Sequence, residues 1–250
     1  MGTEIADVFS FHLLPFLIAT FAGALIASVC GFAFGLVASA IWLHFITPAQ
    51  SAPLIAAFAI VIQAWSVWKL RRSVEARLVL PLLAGGMLGI PLGTAALQWL
   101  PAWQIHVFIG IVCIAFGIYG LAQPKLPPIQ GGALSDMLVG FASGFLGGST
   151  GLGGIPTTMW TSLRGWPKDK QRAVFQPVTL ALFVLTLAWF ANKGVITSGT
   201  ACLFLAGLPP VLAGSWIGWK LYGRLDDAAF RKALLILLLV SGSMLALSVR

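Results

Sequence analysis

The sequence predicts an all-α polytopic membrane protein made of two inverted repeats, each a broken or re-entrant helical hairpin followed by three transmembrane helices. Three observations predict it. Hydrophobic residues make up 59% of the chain and charged residues 9%, with a mean hydropathy of +0.96, whereas about 25% charged is usual in a soluble domain. No Asp, Glu, Lys or Arg occurs between Asp7 and Lys69, Arg77 and Lys125, Arg172 and Lys193, or Lys193 and Lys220, and a spanning helix needs roughly 20 such residues. Finally, a glycine-containing break recurs at an offset of about 120 residues, far longer than the period of a solenoid.

The repeat is read from matching residues. Phe21-Ala22 precedes Cys30-Gly31-Phe32-Ala33-Phe34-Gly35 as Phe141-Ala142 precedes Thr150-Gly151-Leu152-Gly153-Gly154. Ala49 with Pro53 is echoed by Ala173 with Pro177, and Gly89 with Gly93 by Gly214 with Gly218. The chain 1–250 is thus expected to be a single membrane domain with repeats at 8–123 and 131–250, joined by the stiff Pro124-Lys125-Leu126-Pro127-Pro128.

In order, the first element is a hairpin over residues 11–46, broken at Cys30–Gly35. Glu4 and Asp7 precede it without a basic segment, so it is expected to be retained as a helix rather than removed as a signal peptide. Spans follow near residues 49–68, 78–99 and 103–122. A second, shallower hairpin occupies residues 132–163, and spans near 173–192, 199–219 and 233–249 complete the chain. The hairpin lengths decide the topology. Asp136 to Arg164 encloses 27 uncharged residues, too few for two crossings at about 20 each. If both hairpins enter and return on one side, 13 of the 15 basic residues lie inside and only Lys193 and Arg250 outside. Four crossings per half would split them 8 to 7, against the positive-inside rule. Both termini are then extracytoplasmic. Trp65, Trp68, Trp99, Trp103, Trp216 and Trp219 fall at the expected interfaces, and the small residues Gly85, Gly89, Gly93, Gly207, Gly214 and Gly218 suit close helix contacts.

Function is expected at the breaks. Lipid cannot satisfy irregular backbone, so a break at membrane depth must be buried in protein or line a watery cavity. In Gly147-Gly148-Ser149-Thr150-Gly151-Leu152-Gly153-Gly154-Ile155-Pro156, glycines permit the turn, Pro156 suits the first turn of a new helix, and the positive end of that helix can face an anion. Ser149, Thr150, Gly151, Gly153 and Gly154 are the primary binding candidates. Cys30, Gly31 and Gly35 occupy the related position, with Phe32 or Phe34 as an apolar wall. Gln176 beside Pro177, Thr158 on the second half-helix, and Arg172, the cation nearest the cavity, complete the set. Gln63 reads as a helix contact, and Asp136 as the entrance of the second hairpin.

These residues resemble the TauE/SafE family of sulfite and organosulfonate exporters, most specifically in Gly144-Phe145-Leu146-Gly147-Gly148-Ser149-Thr150-Gly151-Leu152-Gly153-Gly154-Ile155-Pro156 followed by a basic loop and Arg172-Ala173. The resemblance covers nearly the whole chain. It departs in the first half, where Gly31-Phe32-Ala33-Phe34-Gly35 carries aromatics in place of a run of glycines. It implies a bacterial inner-membrane carrier for sulfur-containing or related small anions, and the inverted repeat adds the expectation of a secondary transporter working by alternating access around the two breaks.

The remaining features narrow the classes. Net charge is +8, but its cations lie in short loops rather than on one surface, so no nucleic-acid partner is expected. Cys30, Cys113 and Cys202 have neither metal-site nor disulfide spacing. Neither a His-Glu-x-x-His motif nor paired intramembrane aspartates occur, so no enzyme, cofactor or metal is expected. A small anion and the lipid bilayer are the expected partners, a homo-oligomer being compatible. Export is favoured because an inside-negative potential expels an anion. The alternatives are an uptake carrier for a sulfonate, thiosulfate or carboxylate, and a non-transporting membrane partner protein.

Overall fold

The computed structural model describes residues 13–30, 33–122 and 128–221, together with residues 236, 239 and 243. Among these there are nine α-helices and no strand: α1 (Leu13–Cys30), α2 (Phe34–Trp42), α3 (Pro48–Leu70), α4 (Ala76–Trp99), α5 (Ala102–Ala122), α6 (Ala133–Thr150), α7 (Gly154–Leu163), α8 (Lys168–Asn192) and α9 (Ser198–Leu221). Four of them, α3, α4, α8 and α9, are long and apolar enough to cross a membrane. The protein is a multi-pass membrane protein. Of the expected last span at 233–249 only residues 236, 239 and 243 are described, and there Ser243 donates to Leu239 O.

Local chemistry sets the boundaries. Thr47 and Gln50 form a reciprocal capping box with Pro48 in the first turn of α3, satisfying amides that the helix leaves without an acceptor. Arg71–Ser73 forms one 3₁₀ turn before α4. Pro101 separates α4 from α5, and Gly194, at φ 67°, reverses the chain after α8. Thr197 caps α9, accepting from Thr200 N–H at 3.2 Å.

Packing then follows the small residues. The closest helix pair is α4 with α6. A Cβ on Gly89 would overlap the Phe141 carbonyl and one on Gly144 the Gly86 carbonyl, so the two backbones touch directly. The second such pair is α1 with α9, where a Cβ on Gly214 or Gly218 would overlap the carbonyl of Phe21 or Leu25. The long arm of each hairpin therefore packs on a helix from the other half of the chain, and α3 packs against α8 between them. Behind α2 an aromatic nest fills the interior: Trp42 stacks on Phe16 with centroids 4.9 Å apart and meets Phe34 and Phe58 edge-on.

Outward faces carry Leu80, Leu88, Leu138, Leu205 and Leu212 exposed, as a lipid-facing surface requires. At the helix ends, cations lie over tryptophan rings, Arg71 at 4.7 Å from Trp68, Lys193 at 5.7 Å from Trp189 and Lys220 at 3.5 Å from Trp216. Such pairs suit the interface, where one end of each is wet and the other apolar.

The backbone contact between α4 and α6 makes a stability prediction. Gly144→Ala should lower the thermal midpoint of the detergent-purified protein, by the equivalent of about 1–3 kcal/mol or more for an overpacked interior. Gly132→Ala, at a position where a Cβ meets nothing within 4 Å, should leave it unchanged.

Candidate anion site

Among the described residues, each hairpin turn holds one left-handed residue. Ala33 precedes α2 at φ 84°, and Gly151 closes α6 at φ 77°. For Ala33 this conformation costs energy that glycine would not incur. In α2 the first intrahelical bond runs from Val37 N–H to Ala33 O, so the amides of Phe34, Gly35 and Leu36 have no helical acceptor. At the other break Gly151 N–H bonds Gly147 O, Leu152 N–H bonds Thr150 Oγ1, Ile155 N–H bonds Leu152 O, and Pro156 has no N–H. The amides of Gly153 and Gly154 remain at the entrance of α7.

The two breaks meet. A Cβ on Gly35 would lie 2.8 Å from both Leu152 Cδ2 and Ile55 Cγ2, and 3.5 Å from Gly151 O. Beside this contact is a cavity of about 40 Å³, walled by the first turn of α2 from Ala33 to Leu36, by Gly151, Leu152, Gly154 and Ile155, and by Gln63 and Thr179 among otherwise apolar side chains. It is polar enough and roomy enough for about one to three waters, which suits a compact ligand. Among the described residues no Asp, Glu, Lys, Arg or His stands in the wall.

Gln63 and Thr179 join the two halves of the chain. Thr179 Oγ1 lies 2.7 Å from Gln63 Oε1, as donor, and also within reach of Phe175 O at 2.7 Å. Gln63 is 8% exposed. The Thr179 hydroxyl has one hydrogen to share between these two acceptors.

Of the residues expected at the site, Gly35, Gly151 and Gly154 stand in the cavity wall, with Gly153 between the last two. Ser149 and Thr150 are buried and turn their hydroxyls onto their own helix, donating to Phe145 O and Leu146 O, each at 2.8 Å. Thr158 does the same to Gly154 O at 2.7 Å. Gln176 is 2% exposed, one turn from Arg172 on α8, and its Oε1 has no partner. Arg172 Nη2 reaches across the chain to Val29 O at 3.1 Å, placing a cation at the carbonyl end of α1, where the helix dipole favours one. Cys30 closes α1, and Gly31 and Phe32 lie outside the described residues. Thr179 was not expected from the sequence. Its signal was only a polar residue three positions after Gln176 in an apolar span. Gln63 serves as the expected helix contact and also faces the cavity.

The second hairpin is braced along its length. Ser143 Oγ and Thr157 Oγ1 are 2.6 Å apart and buried. At the entrance, Asp136 is 5% exposed; it accepts from Trp160 Nε1 at 2.7 Å and faces Arg164 Nη2 at 3.6 Å. Arg164 Nη1 in turn donates to Gly131 O at 2.5 Å, and its guanidinium lies 5.4 Å from the Trp160 ring and 5.0 Å from the Trp166 ring. Buried polar groups are held by hydrogen bonds of this kind.

Compared with protein-family models, the sequence matches the one described as Sulfite exporter TauE/SafE over residues 15–245. No curated protein and no solved structure matches the chain.

Trp160→Phe removes one hydrogen bond to a buried carboxylate and keeps the ring. It should lower stability by about 1.5–3 kcal/mol, read as a reduced thermal midpoint, whereas Trp216→Phe, at an exposed position, should not.

Proposed function

Because the chain belongs to the TauE/SafE sulfite exporter family, we propose that it is a secondary transporter carrying a small sulfur-containing anion, sulfite or an organosulfonate, outward across the bacterial inner membrane. The observation that carries this reading is the cavity at which the amide ends of α2 and α7 meet. Sulfite and sulfonate oxygens accept hydrogen bonds and donate none when ionised, so they need converging N–H groups. Two half-helix entrances supply these without a full cation.

The repeats at 8–123 and 131–250 are taken as inverted, with both termini extracytoplasmic. The reciprocal packing of α4 on α6 and α1 on α9, with α3 on α8 between, supports a two-fold relation between halves. Alternating access then comes from rocking one hairpin-bearing bundle against the other. Gly35, Gly151, Gly153 and Gly154 bring backbone to the anion. Ser149, Thr150 and Thr158 hold the adjoining helix ends, Arg172 reaches the first break at Val29 O with Gln176 one turn along α8, and Cys30 and Gly31 are assigned to that break from the sequence. Export requires no coupling ion, because an inside-negative potential favours expulsion of a monoanion by about 2.3 kcal/mol per 100 mV.

Proteoliposomes loaded with sulfite test the reading. Efflux should be saturable and should accelerate when an inside-negative potential is imposed, without a proton or sodium gradient. Transport that ran only inward and only with such a gradient would identify an uptake carrier, and absence of sulfite or sulfonate flux from folded protein would sink the proposal.

A further inference from the structure

We propose that Arg172 is a latch: its contact with Val29 O holds the transport site shut at the end that the basic loops mark, and its release opens that end. This rests on the transport reading above and makes Arg172 a positioning residue rather than a ligand of the anion.

The packing defines which parts move against each other. α4 and α8 go with the second hairpin, because the α4 and α6 backbones touch and a Cβ on Gly86 would overlap Leu182 of α8. α9 and α3 go with the first hairpin, because Gly214 and Gly218 bring α9 onto the α1 backbone and a Cβ on Gly207 would overlap Phe58 of α3. These two groups face each other along the seam of α3 on α8 and at the breaks. Rocking one against the other has to separate contacts on that seam.

Those contacts change character along it. Nearest the basic end, Arg172 Nη2 donates to Val29 O at 3.1 Å, joining residues 143 positions apart. About 10 Å further along α8, at roughly 1.5 Å per residue, Thr179 Oγ1 meets the Gln63 amide at 2.7 Å. An amide meets a hydroxyl as donor or as acceptor, so this pair holds whichever acceptor takes the hydroxyl hydrogen. Beyond it the seam is apolar, where Phe183 packs with Ala56 and Ala59. Gln63, Thr179, Ala59 and Phe183 all stand in the cavity wall. Arg172 therefore lies on the side of the cavity towards the α8 end that carries Lys168 and Lys170.

Two features make Arg172 the closing contact. Val29 is among the last four residues of α1, whose carbonyls have no donor within the helix, and a guanidinium at that negative end makes a charge-assisted hydrogen bond, stronger than a neutral one. The contact also crosses from one group to the other. Lys170, on the same helix, pairs instead with Glu75 before α4 at 3.1 Å, inside the second group, and stays paired as the groups separate. Because the positive-inside rule puts these basic loops in the cytoplasm, the latched end is the one through which an exported anion enters.

The test is accessibility. Ala27 stands in the cavity wall on α1, two residues before Val29, and Ala27→Cys places a thiol there. Its labelling by a membrane-impermeant maleimide is followed in inside-out vesicles, which present the cytoplasmic face, and in right-side-out vesicles, each counted above the labelling of the same chain with Ala27 intact. Arg172→Gln should raise the rate in inside-out vesicles by about tenfold or more, the bias that a hydrogen bond from a charged group gives the closed state, with no rise in right-side-out vesicles. Lys170→Gln, which removes the same charge two positions away, should leave the rate unchanged, and sulfite-dependent thermal stabilisation should persist in Arg172→Gln. Unchanged labelling in Arg172→Gln, a rise in right-side-out vesicles instead, or an equal rise with Lys170→Gln would overturn the latch while leaving the transport reading intact. Loss of sulfite binding from folded Arg172→Gln without a change in labelling would make Arg172 a ligand and overturn the positioning role. Failure of the wild-type protein to bind or move sulfite or a sulfonate would instead overturn the transport reading itself. Arg172→Lys, which keeps the charge but not the planar fork, should give a smaller rise and decides the comparison if Arg172→Gln does not fold.

Discussion

The structure depends on one constraint: a backbone interrupted at membrane depth must find partners for its own amides and carbonyls, because lipid offers none. Two interruptions in one chain can solve this jointly by facing each other. Gly35 and Gly151 approach closely enough that neither could carry a side chain without displacing the other break or Ile55. Around that contact the carbonyl ends receive local donors, Gly151 N–H on Gly147 O and Arg172 on Val29 O, while the amide ends open onto the cavity. Available amides beside carbonyls that already have donors are what the transport proposal needs for a negative ligand.

Much of this was legible in the sequence, and the limit of legibility has a physical cause. Charge-free runs gave the helices because burying a charge in lipid is expensive, and expected spans such as 78–99 and 199–219 coincide with α4 and α9 within a few residues. Glycine and proline marked the second break, where Gly151 turns at φ 77°, whereas the left-handed residue described at the first is Ala33, at φ 84°, which no propensity singles out. Side-chain partners were harder to read. These helices are apolar on all sides, so their patterns do not reveal which face turns inward. The pairing of Gln63 with Thr179, 116 positions apart, depends on that rotation. Ser149 and Thr150 were visible as hydroxyls, but the sequence does not show that a carbonyl one turn back has first claim on them, the usual competition for such residues in helices.

The brace on the second hairpin bears on how the site is held. Asp136, Trp160, Arg164, Ser143 and Thr157 tie α6 to α7 at two levels, so the Gly151–Gly153 turn is carried on a stiff two-helix arm rather than on a free loop. The first hairpin uses aromatic packing for the same end, with Phe16, Trp42 and Phe58 enclosing Phe34 at the entrance of α2. Polar fasteners near one break and an aromatic nest near the other give two solutions to holding a backbone turn in place.

The reciprocal packing of hairpins and helices also orders events during synthesis. Leu13–Cys30 is made well before the surface that it packs against, around Gly214 and Gly218. The α4–α6 contact joins segments that emerge much closer together. The face of α1 around Phe21 and Leu25 therefore waits for its partner while the intervening helices are made, whereas its other side can pack at once through Phe16 on Trp42.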